Sequence, residues 1–224
     1  MCDTCGCGDD HQHIDVEKKL MTKNDEFALK NRDYLTRHNI CALNFVSSPG
    51  SGKTSLLVKT IEALKDRYRS AVIEGDQQTD QDALRIQSTQ VPVKQINTGQ
   101  GCHLDAHGIG HAMEDLKIHD EDFLFIENVG NLVCPASFDL GEAHKVVMLS
   151  VTEGEDKPLK YPYMFHASSV MLLNKIDLLP YVDFDLGCCL QYARQVNPHL
   201  TIFPLSVKTG EGFEAWIQWL MQQK

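Results

Sequence analysis

From Cys41 to the C-terminus, short apolar or β-branched runs alternate with stretches in which apolar residues recur every third or fourth position. Runs this short, bounded by polar and glycine-rich residues, suit strands buried on both faces, and the periodicity between them suits helices lying across a sheet. The candidate strands are Ile40–Val46, Ser70–Ile73, Val93–Ile96, Phe123–Ile126, Lys145–Ser150, Val170–Leu173 and Thr201–Leu205. Alternation of this kind predicts an α/β fold, a mostly parallel sheet with helices on both faces. The last helical pattern, Gly212 to Gln222, spaces Phe213, Trp216, Ile217, Leu220 and Met221 as a core-facing stripe.

The pattern weakens ahead of the first strand. Asp9 to Asn39 is polar and charged, with one amphipathic helix near Lys23 to His38 whose Leu20, Phe27 and Leu35 can cover part of the core. The expected division is a short cysteine-rich N-terminal tail, residues 1–22, and one domain with a leading helix, residues 23–224. At 224 residues and 42% apolar composition, the length suffices for that domain and its core. No apolar run approaches the roughly twenty residues that span a bilayer, and the N-terminus lacks a basic segment followed by an apolar one. A cytoplasmic protein is expected, with no membrane partner. A net charge of −10 without a basic cluster argues against nucleic acid as a partner.

Ser47-Ser48-Pro49-Gly50-Ser51-Gly52-Lys53-Thr54 lies between the first strand and the first helix, the context of a phosphate-binding loop. Gly50, Ser51 and Gly52 let backbone N–H groups turn toward a polyphosphate, Lys53 reaches the β/γ-phosphates, and Thr54, followed by Ser55, offers a hydroxyl to Mg²⁺. The usual signature begins with glycine where this chain has Ser47. Asn174-Lys175-Ile176-Asp177 follows the sixth strand, where Asp177 can accept from guanine N1–H and the 2-amino group, donors that adenine lacks. Ser206-Val207-Lys208 fits the loop that meets the base oxygen. GTP is therefore expected over ATP, which also disfavours a small-molecule kinase. Glu127-Asn128-Val129-Gly130 follows the fourth strand where GTPases usually have Asp-x-x-Gly; the acid assists Mg²⁺ and the Gly130 N–H faces the γ-phosphate. Asp76, at the end of the second strand, is a further acid to orient Mg²⁺ or the attacking water. Asn131 stands where small signalling GTPases carry a water-positioning glutamine, so hydrolysis without a partner should be slow.

Eight cysteines in a cytosolic chain point to metal ligation or burial rather than disulfides. Cys41 reads as core, and Cys188 and Cys189 as helix positions. Cys102 and His103 open a helical stretch, and Cys134 stands four residues past Gly130, within about 13–14 Å of it along an extended chain. Thiolate and imidazole suit Zn²⁺ or Ni²⁺, and three ligands leave a position open for water or a second subunit. Buried thiols and a helix-start histidine fit the same spacing. Cys2, Cys5 and Cys7 are too close together for a core and read as a metal-binding cluster; an oxidisable tail is the other reading. His11 and His13 add further possible donors. His107 and His111, at i,i+4 on the helix predicted to begin at Cys102-His103, can share a face with His103; solvated helix positions are the other reading of both. Lys157 can reach a phosphate or acid across a dimer, or serve as a solvated loop lysine.

Glu127-Asn128-Val129-Gly130-Asn131-Leu132-Val133-Cys134-Pro135-Ala136, taken with Glu74-Gly75-Asp76-Gln77-Gln78-Thr79 and Gly101-Cys102-His103-Leu104-Asp105, resembles the hydrogenase nickel-incorporation GTPases, the HypB family. The similarity runs from Ile40 to the C-terminus, and Cys2-Asp3-Thr4-Cys5-Gly6-Cys7 resembles the high-affinity nickel motif of some members. The resemblance implies a P-loop GTPase that helps deliver Ni²⁺ to the large subunit of [NiFe]-hydrogenase, works with a small nickel-binding accessory protein and dimerises on binding GTP. It also implies a metal site near the dimer interface at Cys102, His103 and Cys134. A long histidine-rich stretch is absent, which argues against bulk nickel storage. The Cys-Pro-His motif of the urease nickel-delivery GTPases is absent too. A metal-binding module that keeps the fold without catalysis remains the alternative of a different class.

Overall fold

The structure, a computed structural model, describes residues 7–76, 81–99 and 101–224, with side chains described from residue 19 onward except at 81. A helix, α1 (Cys7–Arg37), leads into β1 (Cys41–Ser47), α2 (Lys53–Leu64), β2 (Ser70–Asp76), α3 (Gln81–Gln87), β3 (Val93–Asn97), α4 (Ala106–Leu116) and β4 (Phe123–Gly130). A 3-10 turn at Cys134–Ala136 precedes β5 (His144–Ser150), α5 (Lys157–Lys160), α6 (Pro162–Ala167) and β6 (Val170–Asn174). A second 3-10 segment, Ile176–Tyr181, leads to α7 (Leu186–Val196), β7 (Thr201–Pro204) and α8 (Phe213–Met221).

The seven strands form one sheet in the order β3-β2-β4-β1-β5-β6-β7, and every pairing is parallel rather than most of them. Two strands run further than their apolar cores predict: β2 continues to Asp76 and β4 to Gly130. Glu127-Asn128-Val129-Gly130 thus lies within the fourth strand and does not follow it. Pairing with β1 on one side and β2 on the other supplies hydrogen-bond partners that the polar sequence cannot advertise.

Alternation along β1 sends Leu43 and Phe45 to one face, where they meet Leu56, Leu57, Ile61, Phe125 and Trp216. Ala42 points to the other face, toward Ile109, Met113, Leu124 and Ile126, and Val46 joins Val147, Leu149, Phe165 and Leu173. Strands covered on both faces carry the near-continuous apolar runs seen in the sequence. Trp216 is fully buried and donates its indole N–H to Thr60 Oγ1 at 3.1 Å, so α8 packs as its spacing predicts.

The amphipathic segment near Lys23 to His38 is the C-terminal part of a much longer helix, and residues 22 and 23 lie inside it. Leu35 is buried and Phe27 half-buried, but Leu20 is 59% exposed and does not cover the core. Polar pins fix α1 instead: Asn31 Nδ2 donates to Ala106 O and Leu140 O, Asn24 Oδ1 accepts from Ala106 N, and Arg32 grips Asp139 with bonds of 2.7 and 2.8 Å. Among the described residues, no helix is long and apolar enough to cross a membrane.

Candidate functional site

The loop after β1 and the carboxyl ends of β2 and β4 border one crevice at the carboxyl edge of the sheet, where ligands bind in such folds. It is lined by Gly50, Ser51, Gly52, Lys53, Thr54 and Ser55, with Asp76, Glu127 and Gly130 opposite, in a cavity of about 380 Å³. A roomier cleft of about 630 Å³ between α1 and α4 includes Lys30, Tyr34 and Met113 but lacks the convergent phosphate-loop groups, so volume alone does not mark the site.

Gly50 and Gly52 adopt φ of 77° and 100°, the left-handed region that glycine enters without strain. A Cβ on Gly52 would also stand 2.8 Å from Asn174 Nδ2. Ser47 accounts for its own departure from the usual glycine. Its hydroxyl accepts from Lys53 Nζ at 3.0 Å and from Ser51 Oγ at 2.7 Å while donating to Ser48 O, so it holds the lysine ready at the strand end. Gly130 lies against the same loop, where a Cβ would come within 3.0–3.3 Å of Pro49.

Thr54 Oγ1 donates to Glu127 Oε1 at 2.8 Å. Glu127 Oε2 is buried without a hydrogen-bond partner among the described residues. An orphan carboxylate oxygen beside a threonine hydroxyl and Asp76 is the oxygen-donor chemistry that Mg²⁺ takes. Burial pushes the Glu127 carboxyl up to about 7, against the pull of the Lys53 ammonium and the Thr54 hydrogen bond. Sequence reading missed its neighbour Glu74, which pairs in register with Glu127 across β2 and β4. Burial, then the charges of Glu127, Asp76 and Asp82, push Glu74 up to about 8, while a hydrogen bond with Gln95 pulls it down. Asp82 and Arg85 of α3 were missed as well. Both line the crevice, and Arg85 Nη2 donates to Ser55 Oγ at 2.9 Å.

The raised carboxyl of Glu74 has a measurable consequence for stability. Between about 4.5 and about 8 the folded protein keeps a proton that the unfolded chain has lost, so this group's contribution falls as pH rises through that window, by at most about 1.4 kcal/mol per unit. Glu74→Gln stays neutral. Its urea midpoint, measured without Mg²⁺, should exceed the parent's at pH 8 and converge on it toward pH 4; a gap that widens toward acid would contradict the assignment.

The residues expected to recognise a base converge on the other side of the phosphate loop. Asn174 Nδ2 donates to Ser51 O and its Oδ1 accepts from Val207 N, while Lys175 Nζ donates to Gly50 O. Ser206 Oγ donates to Asp177 Oδ1 at 2.6 Å, which orients that carboxylate. Lys208 is exposed in the same loop. Asn174 and Ser206 are buried, so this end of the site is preorganised.

Cys102, His103 and Cys134 bring their ligand atoms within 4.8 Å of one another. Cys102 Sγ stands 3.5 Å from His103 Nδ1. A hydrogen bond with Cys134 and burial raise the Cys102 thiol, and burial lowers the His103 imidazolium, whose ring packs 3.9 Å from that of Phe138. Both shifts favour neutral donors until a cation draws off the thiol protons. Cys102 and His103 do not open a helix: α4 begins at Ala106, capped by Asp105, whose side chain accepts from Gly108 N. His103 is therefore off the helix that carries His107 and His111, and three imidazoles do not share one face. Cys41 and Cys189 are buried and Cys188 half-buried. Lys157 opens α5 and lies 3.7 Å from Glu153, partly covered rather than solvated. The side chains of Cys2, Cys5, Cys7, His11 and His13 lie outside the described residues, as do Gln77, Gln78 and Thr79.

Two hydrogen bonds that spacing could not foretell join the end of β4 to the cysteine loop. Asn131 Nδ2 donates to Cys102 O at 3.3 Å, and Asn128 Oδ1 accepts from Leu104 N at 3.1 Å. Asn128 continues inward to Asn44 Oδ1, Asn44 Nδ2 donates to Glu142, and Glu142 lies 3.7 Å from Lys145. Lys145 donates to the carbonyls of Pro135, inside the turn that Cys134 opens, and of Phe138 just past it.

Residues 42–204 match the family model for the CobW/HypB/UreG nucleotide-binding domain. Hydrogenase maturation factor HypB of Rhizobium leguminosarum bv. viciae is 63% identical over 207 residues, covering 92% of this chain and 69% of that protein. The crystal structure of HypB from Archaeoglobus fulgidus superposes with a TM-score of 0.85 at 40% identity, over 90% of this chain and 98% of that one. HypB from Helicobacter pylori, crystallised in complex with nickel, gives the same TM-score and identity over 90% of this chain and 94% of its own. With the family model matched over most of the chain, a relative 63% identical over 207 residues and a solved structure superposing over 90% of the chain, this chain belongs to the HypB family of hydrogenase maturation factors.

Proposed function

We propose that this chain hydrolyses GTP and couples the nucleotide state to the capture and release of Ni²⁺ destined for the large subunit of [NiFe]-hydrogenase. The observation that carries this reading is the pair of hydrogen bonds from Asn131 and Asn128 to the loop of Cys102 and His103. Both asparagines flank the β4 end whose Gly130 lies against Pro49 of the phosphate loop. A γ-phosphate that repositions Gly130 would displace Asn131 next to it and Cys134, four residues past Gly130, and with them the donor set at Cys102 and His103.

In this reading Lys53 and the backbone of Gly50 to Thr54 bind the phosphates, Ser55 holds Arg85 at the pocket edge, and Asn174, Lys175, Asp177 and the Ser206-Val207-Lys208 loop hold guanine. Thr54, Asp76 and Glu127 would hold Mg²⁺, which neutralises phosphate charge when bound. Cys102, His103 and Cys134 would take Ni²⁺ as cargo, with Zn²⁺ a competitor for the same donors. The nickel complex of the Helicobacter pylori relative supports the choice of cargo. Residues 1–22 would be a metal-receiving tail through Cys2, Cys5 and Cys7, joined by α1 to the GTPase domain, 23–224. A GTP-promoted homodimer, a small nickel-binding accessory protein and a cytoplasmic setting complete the proposal.

Coupling of about 1–3 kcal/mol between the two sites corresponds to a fivefold to 150-fold change in affinity. Nickel titration of the intact chain should therefore give dissociation constants that differ within that range between GDP and a non-hydrolysable GTP analogue. Equal constants would sink the coupling.

A further inference from the structure

We propose that Arg85 is a further catalytic residue, an arginine supplied in cis that leaves Ser55 to meet the charge developing between the β- and γ-phosphates of GTP. This rests on the GTPase reading above. Its basis is a second cation on the wall of the crevice, carried by α3 and absent from the phosphate loop itself. Of the side chains lining that cavity, Lys53 and Arg85 are the cations, against the acids Asp76, Asp82 and Glu127. A triphosphate adds several more negative charges, and the guanidinium offsets part of them.

Arg85 is placed to move. Ala83 and Ile86 of α3 are buried and seat that helix on the core, which fixes the backbone from which the guanidinium swings. The side chain itself is 54% exposed. Its Nη2 donates to Ser55 Oγ at 2.9 Å, next to the Thr54 expected on Mg²⁺, and its Nη1 stands 3.4 Å from Asp82 Oδ1. Both contacts are open to solvent, where such pairs hold a side chain weakly. The residue also borders an outer groove of about 420 Å³ with Lys59 and Glu62, so the guanidinium rests on the rim between groove and crevice. Its charge reaches the floor of the site from there: after burial, Lys53 and Thr54, the charges of Asp82 and Arg85 act on the Glu127 carboxyl.

The reaction suits a guanidinium. In hydrolysis the water oxygen bonds to the γ-phosphorus as the bond to the bridging oxygen breaks, GDP keeps that oxygen with its electron pair, and one water proton passes to orthophosphate or to solvent. Negative charge therefore grows on the bridging oxygen. The planar fork of arginine stays charged throughout the working pH range and can donate to the bridging oxygen and a γ-oxygen at once, whereas lysine acts as a point charge.

Single-turnover GTP hydrolysis by the full chain with Mg²⁺, parent against Arg85→Ala and Arg85→Lys, tests the role. Arg85→Ala should lower the rate constant by on the order of 10²-fold, with GDP affinity and helix content by circular dichroism close to the parent's. Arg85→Lys should recover only part of the loss. GDP with aluminium fluoride, a mimic of the phosphoryl group in transfer, should bind the parent more tightly than GDP alone and lose that gain in Arg85→Ala. Parent-like turnover in a folded Arg85→Ala, or a loss confined to nucleotide affinity with the rate constant intact, would overturn the assignment and leave the GTPase reading standing. Absence of turnover in the parent itself would remove both.

Discussion

Lys53→Ala should lower GTP turnover by on the order of 10²–10³-fold, the scale of removing one preorganised charge-stabilising donor from a catalytic site. The lysine is buried at the carboxyl end of β1, with its Nζ held by Ser47 Oγ, so its charge is aimed before the nucleotide arrives. Alanine removes the cation that, on the proposed reading, would face the β/γ-phosphates. It also removes the charge that pulls the Glu127 carboxyl down against burial, so Glu127 moves above about 7 and is less often the carboxylate that a hard cation takes. Two losses thus follow from one substitution. Initial rates with a thermal melt as a folding control measure the effect. If γ-phosphate contacts drive the cysteine loop, the same variant should bind Ni²⁺ equally with GDP and with the GTP analogue. Turnover within a fewfold of the parent in a folded variant would remove Lys53 from the chemistry.

Local sequence exposed the chemistry whose geometry is local. The glycines of the phosphate loop need left-handed backbone, and Asn174-Lys175-Ile176-Asp177 needs a strand followed by a turn; both constraints are written in consecutive residues. Central strands such as β1 and β6 were legible because burial on both faces leaves a near-continuous apolar run, whereas β3 and β7 at the sheet edges are only partly buried. What stayed hidden depends on register and on contacts across the sheet. Glu74 becomes an unusual acid only because β2 sets it beside Glu127, and Arg85 reaches Ser55 from a helix 30 residues away in sequence. Cys102 and Cys134 were candidates by residue type, but their proximity comes from the loops after β3 and β4 folding over the same edge. The start of α4 was misplaced because Asp105, four residues past Gly101, is the capping residue that fixes it.

The charged cluster beneath the cysteine turn is where substitution should hurt stability most. Lys145 and Glu142 are 8% and 5% exposed in their side chains, and the lysine is held by the carbonyls of Pro135, Ala136 and Phe138 as well as by its acid. Burial lowers the Lys145 ammonium, and the charges of Glu142 and Asp139 oppose that, so its cost is met only while the acids and carbonyls stay in place. Lys145→Met fills similar volume yet leaves Glu142 charged and three carbonyls without their donor. The expected loss is about 3–5 kcal/mol, read from urea unfolding at neutral pH. Adding Glu142→Gln should recover part of it, since the glutamine removes the buried charge while its one oxygen still accepts from Asn44 Nδ2 or from Leu140 N. Any folded Lys145→Met should also bind Ni²⁺ more weakly at Cys102, His103 and Cys134, because the turn that presents Cys134 has lost its anchor. A single-variant loss below about 1 kcal/mol would mean that water meets those carbonyls and that the turn is held by its apolar contacts alone.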